Sequence, residues 1–485
     1  VLALGPGCVK NPATGKRELS LVSQQQEVDL GQQAKGQVVQ QFGLVENPAL
    51  QSYVDGVGKK LAQASERPEL PWSFQVVDDA AVNAFALPGG PIFVTRGILA
   101  HMGSEAELAA VLGHEVGHVT ARHSAQQITR SQLAQAGLGL GVVLGSVLTG
   151  QDLSGLGQAA GLGAQMLLLK HGRDAERQAD TLGLGYLVET RYQPAAMTAL
   201  FEMLVRTSEG AERGKLPGWL LTHPEPQERL KDTQERLAKL PAPQEGVVER
   251  DAFLQRLDGM AYGPDPRQGF FRGQTFLHPG LRFQLSFPEG FTTQNQPSAV
   301  VGVSPRQDVA VMLQPTGAKS PEEAAQAFSQ QQGLQVQAAN RTTLNGLPAI
   351  TAQFVAQTQQ GVLEGVTAFV QHGGQVFQLL GLAPGGGMAA ALPLVERSFQ
   401  SFGPLTDAAA LARQPATLRV VPLPRAMTLE EFARSTPSGV PLEELARING
   451  VAPGQQLEAG RRVKRVEGEV ARDTLGSAAA QQNQG

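Results

Sequence analysis

The chain has 485 residues, with 40 Lys and Arg against 44 Asp and Glu for a formal net charge of -4. With no global basic field, nucleic acid is excluded as the expected partner. Apolar residues make up 41% of the chain, enough to bury real cores and to exclude wholesale disorder. At roughly 150 residues per domain, about three domains are expected.

Cys8 is the only cysteine, so neither an intramolecular disulfide nor a multi-cysteine zinc site can form. It follows the apolar run Val1-Leu2-Ala3-Leu4-Gly5-Pro6-Gly7, and Gly7 is the small residue that precedes a lipidated cysteine. Residues 1–19 are therefore read as an N-terminal segment with a lipobox, attached to a membrane through Cys8. The competing reading is a chance thiol in a frayed terminus.

Residues 20–250 read as mainly helical, with helices over 27–41 and 47–63 and short strands over 72–77 and 92–95. Pro88-Gly89-Gly90-Pro91 is the turn between those strands. Two apolar, glycine-rich stretches follow at 136–149 and 156–169, neither reaching the roughly 20 residues that span a bilayer. They read as a pair of glycine-flexible helices or a flap, or as a surface that dips into a membrane or grips an unfolded client. Residues 251–268 read as a linker. The texture then changes to an α+β sandwich over 269–403, with strands over 349–354, 366–370 and 376–382 and helices over 321–332 and 388–399. It carries no catalytic constellation, which makes it an accessory module. A linker over 404–416, a small unit over 417–466 and a disordered tail over 467–485 complete the chain.

The chemistry lies in Gly113-His114-Glu115-Val116-Gly117-His118. Ser104 and Glu107 form an S-x-x-E capping pattern at the start of a helix that carries this segment. At 3.6 residues per turn His114 and His118 lie one above the other, so both imidazoles can hold one zinc ion, with Glu115 beside them to take a proton from water. A catalytic zinc needs a third protein ligand. Downstream, Glu176 and Asp180 stand four residues apart, so that Glu176 can complete a His-His-Glu set while Asp180 orients a ligand histidine, His114. The competing reading is a charged helix face on which Arg173 and Arg177 pair with these acids. His123, five residues past His118, is about 140° round a continuous helix and reads as structural. His101 and His171 carry no assigned role.

H-E-x-x-H followed by E-x-x-x-D is the gluzincin pattern. GHEVGHVTARHS with RDAERQAD resembles the CAAX-prenyl-protease/HtpX-type zinc metallopeptidase family, in its periplasmic branch. Asn11-Pro12-Ala13-Thr14-Gly15-Lys16-Arg17, the run from Asn83 to Gly90, and Leu221-Thr222-His223-Pro224 with Arg229 are further matching text. The resemblance implies a mainly α-helical gluzincin peptidase domain with a short edge-strand sheet and one Zn2+ per chain. It implies substrates that are unfolded or misassembled cell-envelope proteins. It also implies an edge strand over 83–91 that binds substrate through Asn83, Ala84, Phe85, Gly89 and Gly90. His223 is then either an inhibitory latch on the metal or a catalytic group that donates to the oxyanion. A chaperone or assembly scaffold with a latched, idle zinc site is the alternative function. Finally, Met427-Thr428-Leu429-Glu430-Glu431-Phe432 and Leu442-Glu443-Glu444-Leu445-Ala446-Arg447-Ile448-Asn449-Gly450 make 417–466 resemble a βααβ LysM module, which implies peptidoglycan as a partner.

Overall fold

The computed structural model describes residues 7–13, 15, 17–135, 171–209, 218–241, 245–296, 298–331, 333–358 and 361–471. The chain divides into two units. The first contains described residues 7–135, 171–263 and 416–470; the second contains 264–415 and 471. The glycine-rich stretches over 136–149 and 156–169 lie outside the described residues. Among the described residues no helix is long and apolar enough to cross a membrane.

The first unit opens with a hairpin, β1 (Gly7–Lys10) and β2 (Arg17–Ser20), in which Cys8 pairs with Leu19. Ser23 closes a full capping box on α1 (Gln24–Phe42), and Asn47 caps α2 (Pro48–Gln63), which has Pro48 in its first turn. A small sheet follows: β3 (Ser73–Val77), β4 (Ala84–Ala86) and β5 (Pro91–Thr95), in the order β3-β5-β4. β3 runs parallel to β5 and β4 antiparallel to it, which leaves β4 on the edge. Then come α3 (Arg96–His101), α4 (Glu105–Thr120), α5 (His123–Gln135), α6 (Arg173–Glu189), α7 (Ala196–Glu209), α8 (Gly218–Thr222) and α9 (Pro226–Leu237). Every residue of α4 from Leu108 to Thr120 is buried, so the motif helix is the axle of this unit.

The interval 251–268, expected as a linker, instead begins inside a helix. α10 (Arg250–Leu257) buries Phe253, Leu254 and Leu257 in the same core as α2 and α4. β6 (Ala261–Tyr262) then joins the sheet of the C-terminal module. The Gly, Pro and Asp of its second half masked the apolar i, i+4 pair of its first half.

In the second unit a seven-stranded antiparallel sheet has the order β10-β11-β12-β16-β15-β14-β13. Its strands are β10 (Thr292–Asn295), β11 (Val300–Val303), β12 (Ala310–Pro315), β13 (Leu334–Leu344), β14 (Leu347–Thr358), β15 (Gly361–His372) and β16 (Gln375–Pro384). On one face α11 (Pro321–Ser329) packs Phe328 against Phe354 and Phe369. On the other, α12 (Met388–Gln400) and a four-stranded sheet share a core around Phe283, Phe377 and Phe402. That smaller sheet is β7 (Phe270–Arg272), β8 (Thr275–His278), β9 (Phe283–Ser286) and β17 (Gly403–Pro404). The expected linker at 404–416 also holds structure, the short helix α13 (Ala408–Leu411) capped by Asp407.

The C-terminal module runs β18 (Ala416–Pro422), β19 (Met427–Thr428), α14 (Leu429–Ser435), α15 (Leu442–Asn449), β20 (Gln456–Leu457) and β21 (Arg462–Glu467). β18 sits between β21 and β6. Rather than a bead on a linker, the module shares the first unit's core. Lys464, 1% exposed, donates to the carbonyls of Ala100 (2.8 Å) and Met102 (2.6 Å) at the end of α3. Glu444 accepts from Tyr262 Oη at 2.5 Å and lies 3.5 Å from His101 Nε2. These partners are far apart in sequence, so no local pattern signals the docking.

Candidate metal centre

The motif helix is held at both ends. Ser104 Oγ accepts from the Glu107 amide at 3.2 Å, and Glu107 Oε2 accepts from the Gly103 amide at 2.9 Å. Asn11 Nδ2 donates to the Ala121 carbonyl just past the helix end, at 3.0 Å. Along its length α4 lies against α6 through glycines. A Cβ on Gly117 would stand 3.0 Å from the Ala179 carbonyl oxygen, and one on Gly183 would stand 2.9 Å from the His114 amide nitrogen. This close approach brings Glu176 and Asp180 to the histidines.

His114, His118, Glu176 and His223 are all buried, and one ligand atom from each falls within 4.8 Å of the others. His118 Nε2 is 3.0 Å from His114 Nε2, and each is 3.5 Å from a Glu176 oxygen. His223 Nδ1 stands 3.3 Å from His114 Nε2 and 3.0 Å from Glu176 Oε1. Two imidazoles, a carboxylate and a third imidazole converging in a water-excluded pocket are the nitrogen and oxygen donors that zinc takes. The donor set fits zinc.

A second layer fixes these groups. His114 Nδ1 lies 2.9 Å from Asp180 Oδ1, the geometry of a carboxylate that holds the proton on the outer nitrogen. Arg229 donates to both Asp180 oxygens (2.9 and 2.6 Å) and lies 2.9 Å from Glu176 Oε2. Burial pushes the Glu176 carboxyl up, but His223 and Arg229 outweigh it and bring it to about 2. Asp180 likewise resists burial through Arg229 and His114 and is held well below the usual carboxylate range. Burial works to lower His223, yet the Glu176 and Glu115 carboxylates hold it above the ordinary histidine value. Arg173 and Arg177 do not pair with these acids: they reach Glu225 and Glu228 instead. Glu115, 1% exposed, accepts from Trp219 Nε1 at 3.2 Å, and the Trp219 ring stacks on His223 with centroids 4.5 Å apart.

Four neighbours were hidden from sequence reasoning in whole or in part. Trp219 carries no motif, and Arg229 stood out only through the family wording. His123 was expected to turn away, on the premise of one continuous helix. In fact α4 stops at Thr120 and Arg122 adopts φ 59°, which swings His123 back so that its Nδ1 is 2.9 Å from His118 Nδ1. His171 also belongs here, stacked on His118 with ring centroids 4.2 Å apart.

The expected substrate strand needs two corrections. Phe85 is buried and stacks on Phe93 in the core shared with α1, so its side chain faces away from any peptide. Gly89 and Gly90 have φ of 73° and 121°, and a Cβ on Gly89 would lie 2.5 Å from Val28 Cα. Their freedom lets the turn approach α1 rather than a substrate. Asn83 and Ala84 remain at the edge: Thr95 donates to the Asn83 carbonyl, and Leu87 donates to the Pro91 carbonyl. The alternate residues, Ala84 and Ala86, therefore turn their backbone polar groups to the side of β4 away from β5, where Ala84 is fully buried and Ala86 is half-buried.

Residues 48–237 match the model of peptidase family M48. The chain is 30% identical over 259 residues to the beta-barrel assembly-enhancing protease of Yersinia pestis, covering 52% of each chain. It is 29% identical over 229 residues to the protein of that name from Escherichia coli (strain K12), covering 46% of each. It is 32% identical over 236 residues to the mitochondrial metalloendopeptidase OMA1 of Schizosaccharomyces pombe, covering 47% of this chain and 65% of that one. The chain thus spans about half the length of the bacterial relatives it matches. With the histidine pair on α4, Glu176 on α6 and His223 beyond α8 all inside the matched stretch, residues 48–237 are a peptidase family M48 domain.

Proposed function

We propose that the chain is a zinc-dependent endopeptidase of the bacterial cell envelope that hydrolyses peptide bonds in unfolded or misassembled envelope proteins. The observation that carries this is Glu115, buried beside the convergence of His114, His118 and Glu176. Zinc, when bound, polarises the scissile carbonyl and acidifies the attacking water. Glu115, oriented by the Trp219 indole N–H, accepts the water proton and passes it to the leaving amine nitrogen. Asp180 keeps the His114 proton on Nδ1, leaving Nε2 for the ion, and Arg229 balances the charge of the two carboxylates. An extended peptide adds to β4 at Ala86, the half-buried end of this edge strand, through backbone hydrogen bonds, a mode that accepts many sequences and suits unfolded clients.

His223 is the latch in this reading. Four protein donors close a tetrahedral zinc site, whereas catalysis needs an open position. With Nδ1 3.3 Å from His114 Nε2 and 3.0 Å from Glu176 Oε1, His223 would fill that position when zinc is bound. It follows the five-residue α8 and precedes Pro224 and Glu225, whose φ is 65°, a short element that can carry the imidazole away. The same closure supports the alternative of a latched scaffold. Attachment to a membrane through Cys8, periplasmic residence and peptidoglycan binding by the 417–466 module belong to this proposal as its anchoring arm.

The test is His223→Ala, assayed on casein with zinc retained. A latch predicts a sharp rise in hydrolysis. A fall would make His223 a catalytic group, and zinc-loaded protein that cleaves nothing with or without His223 would leave the scaffold reading.

A further inference from the structure

We infer that His123 and Gln178 lock the second ligand histidine, His118, by an ordered chain of protons, as Asp180 locks His114. The inference rests on the zinc-site reading above. His118 turns Nε2 to the cluster, 3.0 Å from His114 Nε2 and 3.5 Å from Glu176 Oε1. A neutral imidazole carries one N–H, so a lone pair on Nε2 requires the proton on Nδ1. That N–H points at His123 Nδ1, 2.9 Å away, which must then accept. The His123 proton is thereby placed on Nε2, and Nε2 faces Gln178 Oε1 at 3.1 Å. Each of these two hydrogen bonds then has one donor and one acceptor. Gln178 stands on α6 two residues after Glu176, so one helix supplies a ligand and the end of the chain.

Two further observations support this assignment. Gln178 Nε2 is buried with no hydrogen-bond partner among the described residues. The amide therefore sits there for its oxygen, and turning it over would set its NH2 against the His123 N–H. The aim of His123 is also fixed from outside the site. Arg122, at φ 59°, donates through Nε to Glu27 Oε2 at 2.8 Å and through an outer nitrogen to the Val22 carbonyl at 2.8 Å. Glu27 is 1% exposed and also accepts from Arg67, which donates to the Val119 carbonyl at 3.0 Å. A left-handed residue in the one turn between α4 and α5 persists because this buried network holds it. His123 is thus a positioning residue, acting on the metal through His118.

The readout is the zinc dissociation constant of the full chain, measured by chelator competition for wild type, His123→Phe, Gln178→Leu and Gln178→Glu. His123→Phe is expected to weaken zinc about 10- to 100-fold, the usual cost of losing such a partner. Gln178→Leu should weaken it less. Gln178→Glu removes the NH2, which has no partner among the described residues, and offers a better acceptor, so it should bind zinc at least as tightly as wild type. A merely structural role would make the two Gln178 variants alike. Wild-type affinity in His123→Phe, or equal loss in both Gln178 variants, would overturn the inference; if His123→Phe does not fold, the Gln178 pair decides alone. Because affinity is read apart from turnover, a wild type that binds zinc without cleaving casein removes the peptidase reading and leaves this test standing. A wild type that binds no zinc overturns both.

Discussion

The first unit buries Glu27, Arg67, Glu176, Asp180, Arg229 and Lys464 among its core groups, whereas the described residues of the second unit bury one ionisable side chain, Asp265. In the first unit each of these charges meets an opposite charge or backbone carbonyls. In the second, the inner faces are Phe, Val, Leu, Ala and Met, with a short polar ladder from Gln314 through Gln378 to Thr367. Apolar packing alone holds a sandwich together, and replacing buried ion pairs with apolar residues often stabilises a fold. Charges kept in a core therefore mark where position and protonation matter more than stability.

The largest effects should separate the two strategies. Phe283, 2% exposed, stands 5.1 Å from the Phe377 ring and 5.4 Å from that of Phe402. Phe283→Ala should cost about 3–5 kcal/mol on denaturant unfolding of the second unit, while zinc content stays that of wild type. Arg229→Met leaves Asp180 and Glu176 as buried carboxylates without their cation and should cost the zinc-free protein about 3–5 kcal/mol. Zinc should restore part of this loss, since the ion takes over the neutralisation of Glu176. Equal destabilisation with and without zinc would break the comparison.

A smaller effect concerns Lys464. Burial pushes its ammonium down to about 7, against about 10.4 in an unfolded chain. Between those values the unfolded state binds the extra proton, so stability from this group rises with pH across that window and is at its least below it. Wild type should gain stability relative to Lys464→Met between pH 7 and 10. A flat difference would mean that the amine on the Ala100 and Met102 carbonyls is charged throughout.

What was legible in the sequence was what local periodicity encodes. The i, i+4 spacing places His114 over His118, the same spacing lets Glu176 and Asp180 face them together, and the turn at Pro88-Gly89-Gly90-Pro91 is present, though it joins β5 to β4 and not to β3, which runs parallel to β5. What was hidden depends on a break in periodicity or on distant partners. One left-handed residue, Arg122, redirects His123, and no helical wheel anticipates it. Gly89 and Gly90 signal close approach but not to what, and the answer is α1. Phe253, Leu254 and Leu257 were concealed by the composition that follows them, and Lys464 meets its carbonyls more than 360 positions away.

The most direct test of the central claim is elemental analysis of bound zinc in wild type and Glu176→Ala, with casein hydrolysis in parallel. The account predicts about one zinc per wild-type chain, lost together with any hydrolysis in Glu176→Ala. Wild-type protein without zinc, or Glu176→Ala that keeps full zinc and full hydrolysis, would contradict it.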